Sequence, residues 1–346
     1  MKSRIATATL AAAGLTASIA LSTAAQAAGA KVAMLLPDVD TTRYEQYDYP
    51  LFKKAVSKLC ADCEVVYLNA GQDAAKQQDQ MQSVIAQGVK AIVLDAVDSA
   101  QAVSSVAEAK AAGIPVIAYD RSIPNSAMSY YVGFDGTQVG VLQGQSLETA
   151  TGGKSGDILM INGDPKGSLS GLFKKGVHNV LDTSSLKIRA EYDTPSWSPQ
   201  AAQDWTEGQL AQGVGHLVGI YAANDGTASG AIAAMKNAGV KPLLPVTGQD
   251  AELPALQRII VGDQYSTIYK AIVNEGDAAA AIAVALVKGE TPKPKDSVDG
   301  VPATVLQSVI VTKENVKDTV IKDGFVKAAE LCTADYAAAC NALGIR

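Results

Sequence analysis

The stretch Ala111-Ala112-Gly113-Ile114-Pro115-Val116-Ile117-Ala118-Tyr119-Asp120-Arg121 carries the pattern that decides the fold. A helical stretch, Ala100–Ala112, runs into a glycine, the residue that most readily takes the left-handed turn after a helix C-terminus. A short apolar run follows, Pro115–Tyr119, without the alternation of a half-exposed strand, so it reads as a strand covered on both faces. It stops on a carboxylate and a guanidinium. The same punctuation returns at Asn237-Ala238-Gly239-Val240, which points to two similar lobes.

Working outward, short strands alternate with helices from Lys31 onward. Strands are expected at Lys31–Leu36, Val65–Leu68, Ala91–Leu94, Tyr130–Phe134, Asp157–Ile161, Leu186–Ala190, Leu217–Tyr221, Leu244–Thr247, Tyr265–Tyr269 and Gln307–Val311. Helical stretches of ten to fifteen residues between them mean βαβ units and parallel sheets. So many strands exceed one sheet of this type, and the chain of 346 residues suits two cores, divided near Asp135. The expected fold is α/β, with two Rossmann-like lobes. Further crossings between them are expected near Tyr265–Lys270 and in the Pro-rich Gly289–Pro302. The resulting division is 1–27 as a leader, 28–135 with 268–296 as the first lobe, and 136–267 with 297–346 as the second.

The strand ends are polar in a consistent way. Besides Asp120-Arg121, strands run out at Asn224-Asp225, at Gln249-Asp250 and at Lys270. Ligands of open α/β sheets bind outside the carboxyl ends of the strands, so these pairs are expected to converge on one crevice. Carboxylates, carboxamides and cationic donors together answer each hydroxyl of a small polyol as donor or acceptor.

The first residues read as a secretory signal peptide: Lys2 and Arg4, an apolar stretch Ile5–Ala20, and Ala25-Gln26-Ala27 as a small-x-small cleavage pattern, with cleavage expected after Ala27. The apolar stretch is short for a membrane anchor, and no cysteine stands at the cleavage point to carry a lipid. A soluble periplasmic protein is expected. Export makes the four cysteines disulfide candidates, with three possible connectivities, of which the local pairs Cys60–Cys63 and Cys332–Cys340 are favoured. Cys60-Ala61-Asp62-Cys63 also matches a redox CxxC, but a redox pair opens a helix, whereas this one follows the helical stretch Tyr49–Leu59. Residues eight apart on an ideal helix lie about 12 Å apart, too far to bridge, so the tail helix must break between Cys332 and Cys340.

Little in the chain supports catalysis or a cofactor. His178 and His216 are its histidines, and neither has the cysteine or carboxylate spacing of a zinc site. No G-x-S-x-G elbow occurs, and no G-x-G-x-x-G follows the first strand. Gly153-Lys154-Ser155 matches the end of a P-loop, but position 148 is Glu where that loop needs Gly. A net charge of −6 with no basic stripe argues against nucleic acid. Trp197 lies in the polar loop Thr194–Pro199 after a strand, which suits a flat platform for the C–H face of a sugar; Trp205, inside a helix, is expected to pack.

Tyr119-Asp120-Arg121, Asn224-Asp225, Gly248-Gln249-Asp250-Ala251, Tyr269-Lys270 and Asp318-Thr319-Val320-Ile321-Lys322-Asp323-Gly324-Phe325 resemble, in order and spacing, the periplasmic D-xylose-binding proteins. These belong to the ribose/galactose-type solute-binding family of ABC transporters, and the resemblance runs from Lys31 to about Leu331. It implies the type I periplasmic-binding-protein fold, in which two lobes joined by a three-stranded hinge close around one pyranose. It also implies a monomer that delivers its sugar to a membrane permease and ATPase, or alternatively serves a chemoreceptor or histidine kinase. Carried over, Arg43 and Arg121 donate to ring and hydroxyl oxygens, Asp120, Asn224 and Asp250 take the remaining hydroxyls, Lys270 reaches from the hinge, and Trp197 stacks. Tyr44 stands where those binders carry a tryptophan, so the opposite face of the sandwich is an altered aromatic. The sequence departs from the pattern at Gly167-Ser168-Leu169, where those binders read Asp-Asn-Asn. A lost carboxamide there removes a hydroxyl partner and leaves the identity of the sugar open. Both cysteine pairs are additions to the pattern.

Overall fold

A computed structural model describes residues 29–345, so the expected signal peptide lies outside the described residues. The chain opens with β1 (Lys31–Leu36), α1 (Tyr49–Leu59), β2 (Glu64–Asn69), α2 (Ala74–Ala86), β3 (Ala91–Leu94), α3 (Ala102–Ala111), β4 (Val116–Tyr119) and β5 (Tyr130–Phe134). These strands pair in parallel, with Leu35 aligned to both Leu68 and Leu94, so that their carboxyl ends share one edge. The helices form where the sequence supplies starts and stops: the Asp73 carboxylate accepts from the Lys76 amide at 3.0 Å to open α2, and Gly113 takes a positive φ after α3. Their apolar stripes cover both faces, Phe52 and Val56 of α1 on one and Met81, Val84 and Val106 of α2 and α3 on the other.

The chain then crosses to a second sheet. It passes through α4 (Gly136–Thr151), β6 (Gly156–Asn162), α5 (Ser168–Leu181), β7 (Leu186–Asp193), α6 (Pro199–Ala211), β8 (Leu217–Ala222), α7 (Asp225–Asn237), α8 (Leu253–Val261) and β9 (Thr267–Lys270). Strands β7, β6 and β8 lie side by side in parallel. The layer continues beyond β8 through Val246, bridged to Ile220, and through Gly248 and Asp250, whose backbone exchanges hydrogen bonds of 3.1 and 3.0 Å with Ile268 of β9. The strand expected at Leu244–Thr247 is reduced to that bridge, since Pro245 has no amide hydrogen to donate. Val139, Leu147 and Phe173 fill one face of this sheet, and Ala202, Leu210 and Met235 the other.

From Lys270 the chain returns to the first unit as α9 (Ile272–Val287), whose Ala279 and Ala283 pack with Phe52 against Val32 and Val93. It then forms β10 (Asp296–Val298) and β11 (Val301–Leu306), and crosses once more into β12 (Ser308–Val311). The first sheet has the order β10-β11-β5-β4-β3-β1-β2, with β11 parallel to β5, while β12 lies antiparallel to β9. Three crossings therefore join the two units, at Asp135, at Ala271 and at Gln307. Two of the expected boundaries move. Residues 268–270 stay with the second sheet, and 297–306 belong to the first, because the Pro-rich segment is a loop within the first unit and the crossing comes after β11. Nothing in the composition of Val301–Leu306 marks its partner; pairing with Tyr131–Phe134 decides it.

The tail packs Val320, Val326, Leu331, Cys340 and Ile345 under α8 and Tyr269. Both local disulfides form. Cys60–Cys63 joins at the end of α1 with Cα atoms 5.3 Å apart, a staple position rather than the start of a helix. Cys332–Cys340 spans 5.8 Å, and the tail helix does break between them, ending at Leu331 and restarting at Ala337. Among the described residues no helix is long and apolar enough to cross a membrane.

Candidate functional site

The carboxyl ends of both sheets face each other across one cavity. Arg43, Tyr44, Asp120, Arg121, Trp197, Asn224, Asp250 and Lys270 all line it, so the eight residues singled out in the sequence are brought together. Thr41, Leu169, Phe173 and Gln249 complete the wall.

Each charged group is held by partners of its own. The Arg43 guanidinium donates to both Asp48 oxygens, at 2.9 and 2.7 Å, and to Glu275 Oε2 at 3.0 Å. Its Nη1 is left facing the cavity, 3.4 Å from both Asp120 Oδ1 and Asp250 Oδ1. The Lys270 ammonium donates to Asp120 Oδ1 at 2.8 Å and lies 3.5 Å from Asp250 Oδ1. Arg121 donates from Nη1 to the Ala96 carbonyl at 2.9 Å and from Nη2 to the Tyr44 hydroxyl at 3.2 Å, with Asp95 3.4 Å from its Nε. A fork fixed on two sides points its remaining N–H groups in one direction, which is how a cation becomes a directional donor.

Burial and charge then separate the carboxylates. Burial opposes ionisation of Asp120, but Arg43 and Lys270 outweigh it and hold this carboxyl well below its usual range. Burial pushes Asp95 up to about 8 despite Arg121, and raises Glu275 well above the ordinary value. Asp120 is thus a fixed acceptor in the cavity, while Asp95 and Glu275 lie behind the arginines. Asn224 spends its carbonyl oxygen on the Thr227 amide at 2.9 Å, capping α7, and so presents its amide nitrogen outward. The side-chain oxygen of Gln249 is buried without a hydrogen-bond partner.

Three lining residues adopt left-handed backbone: Asp120 with φ 54°, Trp197 with φ 55° and Asp250 with φ 99°. Aspartate tolerates this region better than a bulky aromatic does, and such conformations cost on the order of 1–3 kcal/mol each unless the surroundings impose them. Around Trp197 the surroundings are tight. Gly163 lies against the indole so closely that a Cβ there would fall 1.9 Å from Cη2, and Phe173 meets the indole edge-on with centroids 6.4 Å apart. Trp205, by contrast, stacks on Tyr192 away from the cavity.

Sequence reading missed the holders of the arginines, Asp48, Asp95 and Glu275, and the cavity residues Thr41 and Phe173. Glu275 did leave a signal: it lies one and two turns before Ala279 and Ala283 on the buried stripe of α9, where a carboxylate needs a partner. Phe173 follows Leu169 by four residues on the same face of α5.

Two doubly wound α/β units, crossed three times and closed over one polar cavity, define a ligand-capturing protein rather than one built around a reactive group. The chain belongs to the periplasmic binding protein family, whose domain matches residues 32–291. It is 33% identical over 316 residues to the D-xylose-binding periplasmic protein of Escherichia coli K12, covering 89% of this chain and 94% of that protein. It is 31% identical to the multiple sugar-binding periplasmic receptor ChvE of Rhizobium radiobacter, covering 75% of this chain and 81% of that one. An ABC transporter solute-binding protein from Clostridium phytofermentans with bound β-D-glucose superposes with a TM-score of 0.80 at 27% identity, covering 87% of this chain and 99% of that chain. These relatives are solute-binding proteins, not enzymes.

Proposed function

We propose that this protein captures a single aldopentose, D-xylose or a close relative, in the periplasm and presents it as a monomer to an ABC permease and its ATPase. The observation that carries the reading is the ring of fixed donors and acceptors around the cavity: Arg43 Nη1, Arg121, Lys270 and the Asn224 amide as donors, Asp120 and Asp250 as acceptors, and Trp197 as a flat apolar side. A pyranose offers that complement, hydroxyls at its rim and C–H groups on its faces. Each hydrogen bond between a hydroxyl and a charged group contributes about 1.5–3 kcal/mol, so a handful supports tight binding. The relatives named for D-xylose supply the sugar class, and their periplasmic location supports export of this chain by residues 1–27. Closure of the two units about the three crossings brings Asp250 and Lys270 against Arg43 and Asp120.

Calorimetry of the mature protein against aldopentoses and aldohexoses tests this. Tight binding of one or two sugars is expected; no heat with any of them would remove the sugar-receptor reading.

A further inference from the structure

Leu169 sits in the first turn of α5, one turn before Phe173, and both reach the cavity. On its other side lies a wider groove beside the crossings, walled by Phe134, Leu172, Val298 and Val305 among others. Leu169 is the one described residue that lines both spaces. It is 4% exposed, and its Cδ2 lies against the crossing backbone, 3.1 Å from where a Cβ on Gly136 would stand. The isobutyl group is therefore a partition, held from behind by the hinge.

The partition is also chemically distinct. Leu169, Phe173 and Trp197 form the apolar part of the lining, whereas the charged groups gather about Asp120. A sugar edge set against Leu169 gains no hydrogen bond from the isobutyl group, and a further substituent there would have to displace a buried side chain. A pentopyranose possesses such an edge, its bare ring methylene at C5. A hexopyranose carries a hydroxymethyl group at the same carbon. We infer that Leu169 is the specificity-determining wall of this cavity, admitting pentopyranoses and excluding hexopyranoses, with the groove behind it sealed off from the ligand.

This inference rests on the sugar-capture reading, and D-xylose and D-glucose, which differ only in that hydroxymethyl group, separate the two. The wild-type protein is expected to prefer D-xylose by about a hundredfold or more, and Leu169→Ala to bring the ratio to about tenfold or less, chiefly by gaining D-glucose. Leu169→Met, which conserves volume, is expected to keep the wild-type ratio. Wild-type binding of both sugars alike, or an Ala variant with an unchanged ratio, overturns the role of Leu169 and leaves sugar capture standing. Wild-type binding of no sugar overturns the reading beneath it. Should Leu169→Ala bind neither sugar, Leu169→Val decides: a smaller ratio than wild type supports the wall, an equal one overturns it.

Discussion

At the scale of single residues, Arg121 shows how a binding group doubles as a structural one. Its guanidinium satisfies the Ala96 carbonyl and the Tyr44 hydroxyl, both buried, and faces Asp95. Arg121→Ala is therefore expected to abolish sugar binding and to destabilise the fold, because each buried polar group left unpaired costs about 1–3 kcal/mol. Calorimetry and a thermal melt read the two effects separately; an unchanged melting temperature would show that these partners find other bonds. Arg121→Lys keeps the charge without the two-sided hold, and a weaker but measurable affinity is expected.

The loops at the ends of elements carry the next level. Gly163, just past β6, has no Cβ, and the indole of Trp197 lies directly on its main chain. Gly163→Ala is expected to displace the indole, to cost about 1–3 kcal/mol as an overpacking change, and to weaken sugar binding sharply. Trp fluorescence reports it, since Trp197 at the cavity should respond to sugar in the wild type and lose that response in the variant. At other element ends, burial first of all raises three carboxyls: Asp95 after β3 to about 8, Asp225 opening α7 to about 7, and Glu252 before α8 to about 8. Unfolded, such groups titrate near pH 4, so between that value and pH 8 the native state holds protons that the unfolded chain has released. Their contribution is complete below about pH 4 and is lost as pH rises through 7 to 8. The urea midpoint should accordingly fall between pH 5.5 and pH 8.5, and Glu252→Gln should flatten that fall. A midpoint that rises over the same interval would contradict the assignment.

Across the whole molecule, the two units meet through a few polar contacts outside the cavity. Gln72 donates to the Ser196 carbonyl at 3.2 Å, and Ser99 receives the Ser168 amide on its hydroxyl at 3.2 Å while its own amide donates to the Lys166 carbonyl at 3.1 Å. These bonds join the two units, so any that opening breaks favours closure without touching the ligand. Ser99→Ala removes one such bond, worth about 0.5–1.5 kcal/mol, and should weaken sugar affinity by up to about tenfold with little change in melting of the unliganded protein. An unaltered affinity would mean that the bond forms equally in the open state.

Most of the strand and helix spans, the polar strand ends and the local cysteine pairs were legible because each depends on residues close in the chain: apolar runs, a glycine after a helix, a short span between thiols. Asp120, Arg121, Asn224, Asp250 and Lys270 could be named in advance because parallel pairing carries every strand end to the same edge. Other features depend on groups far apart in sequence. Val301–Leu306 joins the first sheet only through its pairing with β5. Glu275 matters only because folding brings it onto Arg43 from 232 positions away. Leu169 became a wall rather than a missing carboxamide once Gly136 and the groove stood behind it. The sequence by itself determined the two-lobed α/β plan and the list of polar strand ends, through periodicity and composition. Tertiary structure alone decided where the chain crosses between lobes, which acids are ionised and how the cavity ends, since pairing, dielectric and free volume are properties of neighbours in space.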